Sequence, residues 1–530
     1  MRRRPDRVEA GLFRPDHPLW RPTTALLLLA GYCLLHALLR LLLTGTAEVD
    51  HVEQVIYAQS LQPHYGLSQP PLYTWLLWGM QRLLGVGLPA VVLLKYLLIF
   101  AVYLFHYLAA RRLLRDDRLA LLATLSLTLC YQIGWKFHIG VTHTLLLSAA
   151  CAMSLWALLR VLQEGRLRDW ALLGLAMGIG SLSKYGYFVF LPVLLLAVLA
   201  GRGLRERLLR PQLAIPLLIA PVLFAPFGLG LLERPDTAGA IFRHTLQGGI
   251  SGDWIGHTLT GLGHLAGAIA GFLALALLLP LLFPETLRQP RERDPWTALM
   301  DRFHLLIVLA LLGMVAIGGV TTLKSRWMHP FLLLVPLWLF LRLRAATAAT
   351  GLPRKRLGVL LGVLLVLNLA VIGYRTALDT VGPPLCHRCR VLAPYPELAR
   401  AVREAGFTAG TILAGDEHIG GNLRLAFPDS RVVALPYTYY RPPPRERPGD
   451  CLIVWDLKRG EEPPPQLQDL IAREGLDPAS LPAAGEFVIP LEQWRRRYPR
   501  WRDPGLRRNG TPLAFGWRIQ RLHPGQGECH

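Results

Sequence analysis

Long apolar runs, recurring from Thr23 to Tyr374 and missing from the last quarter, constrain this chain more than any other feature. Runs of about 18 or more apolar residues are long enough to cross a bilayer. The loops between them alternate in kind, and one kind is rich in arginine: RRLLRDDR, QEGRLRDW, GRGLRERLLR, RQPRERD, and RLR followed by RKR. Placing the arginine-rich loops in the cytoplasm gives spans over Thr23–Leu43, Leu88–Ala110, Leu119–Trp135, Val141–Leu162, Trp170–Leu182, Gly186–Ala200, Leu213–Leu232, Leu262–Phe283, Phe303–Val320, Met328–Leu343 and Leu357–Tyr374. The expectation is an α-helical polytopic membrane protein of about eleven transmembrane helices, with its N-terminus inside and its C-terminal region outside. The chain divides accordingly into a cytoplasmic tail over 1–22, a membrane domain over 23–375 with its first outer loop at 44–87, and an exterior domain over 376–530.

Composition agrees with this class. Of 530 residues, 52% are apolar and 18% charged, too oily for an ordinary soluble enzyme. A net charge of +21 would suggest nucleic acid in a soluble protein, but the cytoplasmic arginines explain it, so no nucleic-acid partner is expected. The basic N-terminus resembles a signal sequence without a small-residue cleavage site, and reads as a retained tail and first span. From about Cys386 the pattern is globular. PELARAVREAG and GGNLRLAF read as helices, GTILAG, RVVALP and CLIVWD as strands, and RPPPRERP as a loop, giving a small α/β domain. Cys33, Cys130 and Cys151 read as small buried hydrophobes. Cys386-His387-Arg388-Cys389 resembles a metal or redox motif without a matching second pair, so a disulfide, with Cys451 or Cys529 as candidate partners, is an equal reading.

Polar residues interrupt the apolar pattern mainly on the outer side. The first outer loop carries Asp50, Glu53, His64, Tyr65 and Gln69; later outer segments carry Lys136, His138 and His143, then Lys184 and Tyr185, then Asp253 and Trp254, then Lys324, Arg326 and His329. Asp50 and Glu53 are one helical turn apart, a spacing that turns two carboxylates toward one space. Tyr73, Trp75 and Trp78 follow and suit the headgroup layer. Transfer to a hydroxyl needs a base, which Asp50 can supply, and cations beside a departing phosphate. Lys324 and Arg326 are the first candidates for that charge, with Lys184, Lys136 and His143 as helpers. Plainer readings stand beside these: helix-end cations snorkel, a carboxylate pair suits a solvated helix N-terminus, and His138 and His143 lack an acidic neighbour at a metal-ligand spacing. Lys95 and Arg40 lie within or near span ends and face the bundle interior in this reading, with no partner fixed.

Several motifs resemble the bacterial membrane glycosyltransferases related to protein mannosyltransferases and to the aminoarabinose transferase of lipid A. They are Asp50-His51-Val52-Glu53-Gln54, then Gln59, Gly66 and Gln69-Pro70-Pro71-Leu72-Tyr73-Thr74-Trp75-Leu76, with His143-Thr144, Ser183-Lys184-Tyr185, and Arg326-Trp327 before a span containing Pro336. The resemblance implies a GT-C fold and an inverting transfer from an undecaprenyl-phosphate sugar to a periplasmic lipid, glycan or protein. It implies Asp50 as general base and Glu53 in support, in a bacterial inner membrane whose lipids surround the chain. Tyr65, Gln69, Lys136, His143, Lys184, Tyr185, Lys324 and Arg326 are then the substrate-binding candidates. No metal ligand set and no definite cofactor follow, and a divalent cation is left open. The sequence departs from relatives at His51, where many have Glu, and at Gln69, where the aminoarabinose type has Lys; phosphate binding then falls on Lys324, Arg326 and Lys184. A transporter or flippase of polyprenyl-linked glycans is the alternative class, and would call for midplane polar residues or an internal repeat.

Overall fold

The computed structural model describes residues 12–66, 68–233, 246, 254–288, 294–380, 393–445, 449–488, 514–520 and 529. They fall into two compact units. The first takes the chain up to Leu35, Leu97–Phe137 and His143–Leu369; the second takes His36–Tyr96, His138–Thr142 and the chain from Ala370 onward.

The opening helices are α1 (Pro22–Leu43), α2 (Asp50–Tyr57), α3 (Leu72–Leu84) and α4 (Leu88–Leu114). All the apolar runs fall largely on helical chain. Among the described residues seven helices are long and apolar enough to cross a membrane, or eight if Tyr187–Leu199 and Arg202–Leu208, bent by 116°, form one span. The difference from about eleven has local causes. Over 119–135 the hydroxyls of Thr124, Ser126 and Thr128 donate back to the carbonyls of Ala120, Leu122 and Leu125. Such bonds compete with the helix ladder, and the run breaks into Asp117–Leu125, Ser126–Leu129 and Tyr131–Gly134. The helices over the next short pair, Leu167–Ser181 and Tyr187–Leu199, have 15 and 13 residues.

In the first unit the helix Leu167–Ser181 packs closely on Ala214–Glu233. Cβ atoms added at Gly174 and Gly178 would lie 2.8 Å from Pro216 Cα and 2.5 Å from Leu223 Cδ1, so glycines one turn apart permit the approach. The arginine-rich loops are stitched to acids: Arg160 bonds the fully buried Asp169 at 2.6 Å, Arg342 bonds Asp301 at 2.8 Å, and Arg356 bonds Glu285 at 2.6 Å.

The second unit is built on a five-stranded sheet of order β2-β1-β3-β5-β4, with β1 Gly410–Ala414, β2 Arg431–Ala434, β3 Asp450–Asp456, β4 Gly485–Val488 and β5 Ala514–Gln520. β1 runs parallel to β2 and β3, whereas β5 is antiparallel to both β3 and β4. Alternation along the strands fills two cores. Ile412, Ala414, Val432, Leu452 and Val454 face one layer; Leu413, Val433, Ile453 and Trp455 face the other. Ile56, Tyr57 and Tyr65, from the segment that follows α1, belong to the former layer. The expected helices and first strands of this region are present as Tyr395–Glu404, β1, Glu417–Ala426, β2 and β3. Cys451 pairs with Cys529, which removes both as partners for the Cys386–Cys389 motif. That motif and Asp253 lie outside the described residues. Cys33, Cys130 and Cys151 are buried free thiols.

Candidate active site

Asp50 is the first residue of α2 and is partly buried. The residue before it, Val49, has φ 48°, a conformation that a β-branched side chain rarely adopts. The turn thus sets the direction in which α2 begins. Glu53 follows one turn later, and its carboxyl is pushed up to about 7, first by burial and then by the charge of Asp50. Hydrogen bonds from Tyr57 and Gln54 act the other way, and Glu417 adds to the upward push. Burial and the neighbouring charge thus keep the Glu53 carboxyl protonated up toward neutral pH. His51 is buried, and burial with the fields of Lys95 and Arg40 holds its imidazole well below the usual range. It serves as a neutral core residue.

The C-terminal sheet holds this loop in place. Gln59 donates to the Val432 carbonyl at 2.8 Å and accepts from its N–H at 2.7 Å, as a further strand would. Gly421 lies so close to α2 that an added Cβ would be 2.6 Å from Val52 Cβ. The Tyr440 hydroxyl donates to the Tyr57 carbonyl at 2.9 Å, and the Tyr57 and Tyr439 hydroxyls are 2.5 Å apart. Tyr437 packs on Tyr57 with centroids 5.2 Å apart and feels the charges of Glu53, Glu417 and Asp50. Glu417, Tyr437 and Tyr439 are additions that the sequence did not single out. Tyr65 is buried, its hydroxyl donating to Ser60 O at 2.6 Å and accepting from Gln62 N at 3.0 Å, so it closes the loop. Gln69 presents a buried Oε1 with no hydrogen-bond partner among the described residues.

The first unit gathers the other candidates. Lys184 donates to Thr144 Oγ1 at 2.9 Å. His143, buried at its helix start, bonds to the Ser183 backbone and lies within the field of Lys184. His329 lies in that field too. Its ring stacks on Phe137, with centroids 5.1 Å apart, and its Nδ1 bonds the Arg326 carbonyl at 2.9 Å. Gln132 donates to Ser325 at 2.7 Å, tying down the same loop. Lys324 and Arg326 are exposed, Lys324 with its ammonium 5.3 Å from the Trp327 ring. Lys136 lies 5.8 Å from the Tyr131 ring, and Tyr185 packs 6.5 Å from Phe227. The structure thus joins His143, Lys184 and the Arg326 loop through His329, while Lys136 and Tyr185 keep local aromatic neighbours. Among the described residues no cluster of three His, Cys, Asp or Glu side chains is arranged to hold a metal.

Residues 68–229 match the family described as dolichyl-phosphate-mannose-protein mannosyltransferase. The chain is 32% identical over 443 residues to the lipopolysaccharide core galacturonosyltransferase RgtA of Rhizobium johnstonii, covering 82% of this chain and 87% of that one. The chain belongs to the GT-C membrane glycosyltransferases. RgtB of the same organism is 29% identical over 471 residues, covering 87% and 93%. The fold matches that of ArnT from Cupriavidus metallidurans bound to undecaprenyl phosphate, with TM-score 0.60, 15% identity, and 94% and 98% of the two chains covered. The apo form of that enzyme gives TM-score 0.57. This GT-C chain is therefore a multi-pass membrane glycosyltransferase, as its motifs implied.

Glu53 gives a direct test of the electrostatics. Its carboxyl is near 4.5 in its ordinary state and about 7 in the fold, so between those values the folded protein holds a proton that the unfolded chain releases. Its contribution to stability therefore falls as pH rises through that window and stays reduced above it. Glu53→Gln removes the effect. Melting temperatures from about pH 5 to about pH 8 should favour the variant over its parent progressively as pH rises. A difference independent of pH would show that Glu53 ionises normally.

Proposed function

We propose that this glycosyltransferase moves one sugar, with inversion, from an undecaprenyl-phosphate carrier to a periplasmic acceptor, and that Asp50 is the general base. The observation that carries the reading is Asp50 at the head of α2 beside Glu53, whose carboxyl is held near neutrality. The acceptor hydroxyl attacks the anomeric carbon from the face opposite the phosphate, and Asp50 takes its proton. The bond from that carbon to the phosphate oxygen breaks with its electron pair, and the lipid monophosphate leaves. Its charge is met by Arg326, Lys324 and Lys184, helped by His143 and Lys136. Gln69 and Tyr185 are assigned to substrate binding in this reading, and Tyr65 shapes its loop. The similarity to RgtA and RgtB and the carrier bound by ArnT support this donor class.

The same relatives favour galacturonic acid as the sugar and a lipopolysaccharide core as acceptor. One feature of the chain agrees: Lys136–His143, Ser183–Tyr185 and Lys324–His329 carry several cations and no acid, more charge than one leaving phosphate needs. A uronic acid brings a carboxylate for the surplus. Mass spectrometry of the envelope from cells with and without the gene decides the matter. Loss of a hexuronic acid from the lipopolysaccharide core is expected, and an unchanged core would reject this sugar and acceptor.

Orientation is part of the proposal. Single cysteines at the exposed Asp469 and Arg205 distinguish the faces of the membrane. An impermeant thiol reagent should label the first and spare the second in intact spheroplasts. Labelling at Arg205 alone would turn the site toward the cytoplasm and remove the lipid-linked donor.

A further inference from the structure

The segment Thr44–Val49 carries the chain from α1 to Asp50, and it is held at three points within the second unit. Arg40, itself buried, donates to the Thr46 carbonyl at 2.6 Å. Asn422 accepts from the Ala47 N–H at 2.8 Å and donates to its carbonyl at 3.1 Å. The third hold acts on Glu48 and Val49. Gly140 lies against them so tightly that an added Cβ would be 2.6 Å from the Glu48 carbonyl oxygen and 2.8 Å from Val49 Cβ. Gly140 is the centre of a three-residue turn in which Val141 N–H bonds the Ile139 carbonyl at 2.7 Å. That same carbonyl accepts a hydrogen bond from Lys95 Nζ at 2.8 Å.

Lys95 is 1% exposed, and an ammonium is costly to bury. What it does with that cost is fasten one tight turn. The turn presses on Val49, whose positive φ is of the kind that persists only where neighbours over-determine it. The next residue is Asp50. We propose that Lys95, acting through the Ile139–Gly140 turn, is a positioning residue that holds Val49 in its strained conformation and so aims the Asp50 carboxylate. This rests on Asp50 being the base. Neither Lys95 nor Gly140 needs to touch substrate in this arrangement.

The device can be removed without emptying the site of balanced charge. Arg40, Arg375, Glu48 and Asp379 are the charged side chains whose fields reach Lys95, so Lys95→Met leaves two cations facing two acids. Gly140→Ala alters the same turn while keeping the lysine. The full-length variants, purified with the parent and Asp50→Asn, are assayed with a short-chain polyprenyl-phosphate galacturonic acid and a lipopolysaccharide core acceptor, and their melting temperatures are measured. Misaligning a reacting group by an ångström can cost about a hundredfold in rate. Lys95→Met and Gly140→Ala should each lose about tenfold or more in kcat, with the donor KM within about twofold of the parent and melting little changed. The double variant should be about as slow as the worse single one, because both changes break one chain of contacts.

Parental kcat in both folded single variants would overturn the proposal. So would losses that track the amount of folded protein, which mark a merely structural lysine. Should Lys95→Met fail to fold, Gly140→Ala decides alone, since it leaves the buried charge in place. An active Asp50→Asn would instead remove the base itself; an inactive Asp50→Asn beside parental Lys95→Met and Gly140→Ala would remove only the positioning role.

Discussion

Asp50→Asn should lower transfer by about a hundred- to ten-thousandfold, the range that a positioned general base contributes. The amide keeps the shape of the carboxylate at the head of α2 but cannot take a proton at neutral pH. Because the side chain is only partly buried and α2 is held by Gly421 against Val52, the variant should insert and melt like the parent. Initial rates against a polyprenyl-phosphate sugar, normalised to folded protein, provide the measurement. The loss should be in kcat with donor KM little changed, since the base acts on the acceptor hydroxyl. Glu53→Gln should be milder, because Glu53 is already protonated for part of the time near neutrality. Full activity in Asp50→Asn would remove the base from the mechanism, and an equal loss in Glu53→Gln would move the role to the pair.

The membrane character was legible because a bilayer imposes a one-dimensional rule: long apolar runs separated by loops of alternating charge. The number of complete spans was less legible, since back-bonding by Thr124, Ser126 and Thr128 breaks a helix that hydropathy alone would carry through. In the C-terminal region β1, β2 and β3 could be read from their compact apolar runs. β4 and β5 could not, because GEFV is short and AFGWRIQ is broken by Gly516 and Arg518, so neither is a compact apolar run. A different limit applies to the site. Asp50 and Glu53 stand out by local spacing and by resemblance. Asn422 and Val432, whose contacts with Ala47 and Gln59 span 375 and 373 residues of sequence, carry no local sign of their partners. Lys95 was conspicuous as a lysine in an apolar run, yet its role depends on Ile139 and Gly140, which look like ordinary loop residues until the turn is folded.

The second large effect should come from Arg326. Lys184 is already tied to Thr144 Oγ1 and Lys324 lies beside the Trp327 ring, whereas the Arg326 guanidinium is exposed on a loop fixed by His329 and Gln132. A planar fork on an anchored backbone suits a phosphate that gains charge as the sugar departs. Loss of a hydrogen bond to a charged group typically costs roughly 1.5 to 3 kcal/mol, or about ten- to a hundredfold. Arg326→Ala should fall in that range in kcat/KM for the donor, and Lys324→Ala should cost less. Arg326→Lys should recover only part of the rate, because a point charge cannot reproduce two parallel donors. Snorkelling at a helix end predicts a different pattern, in which donor dependence is unchanged and only the amount of membrane-inserted protein falls. Donor titrations of the three variants at equal folded protein separate these outcomes. Parental donor dependence in Arg326→Ala would pass the phosphate to Lys184, whose replacement by methionine should then produce the larger loss.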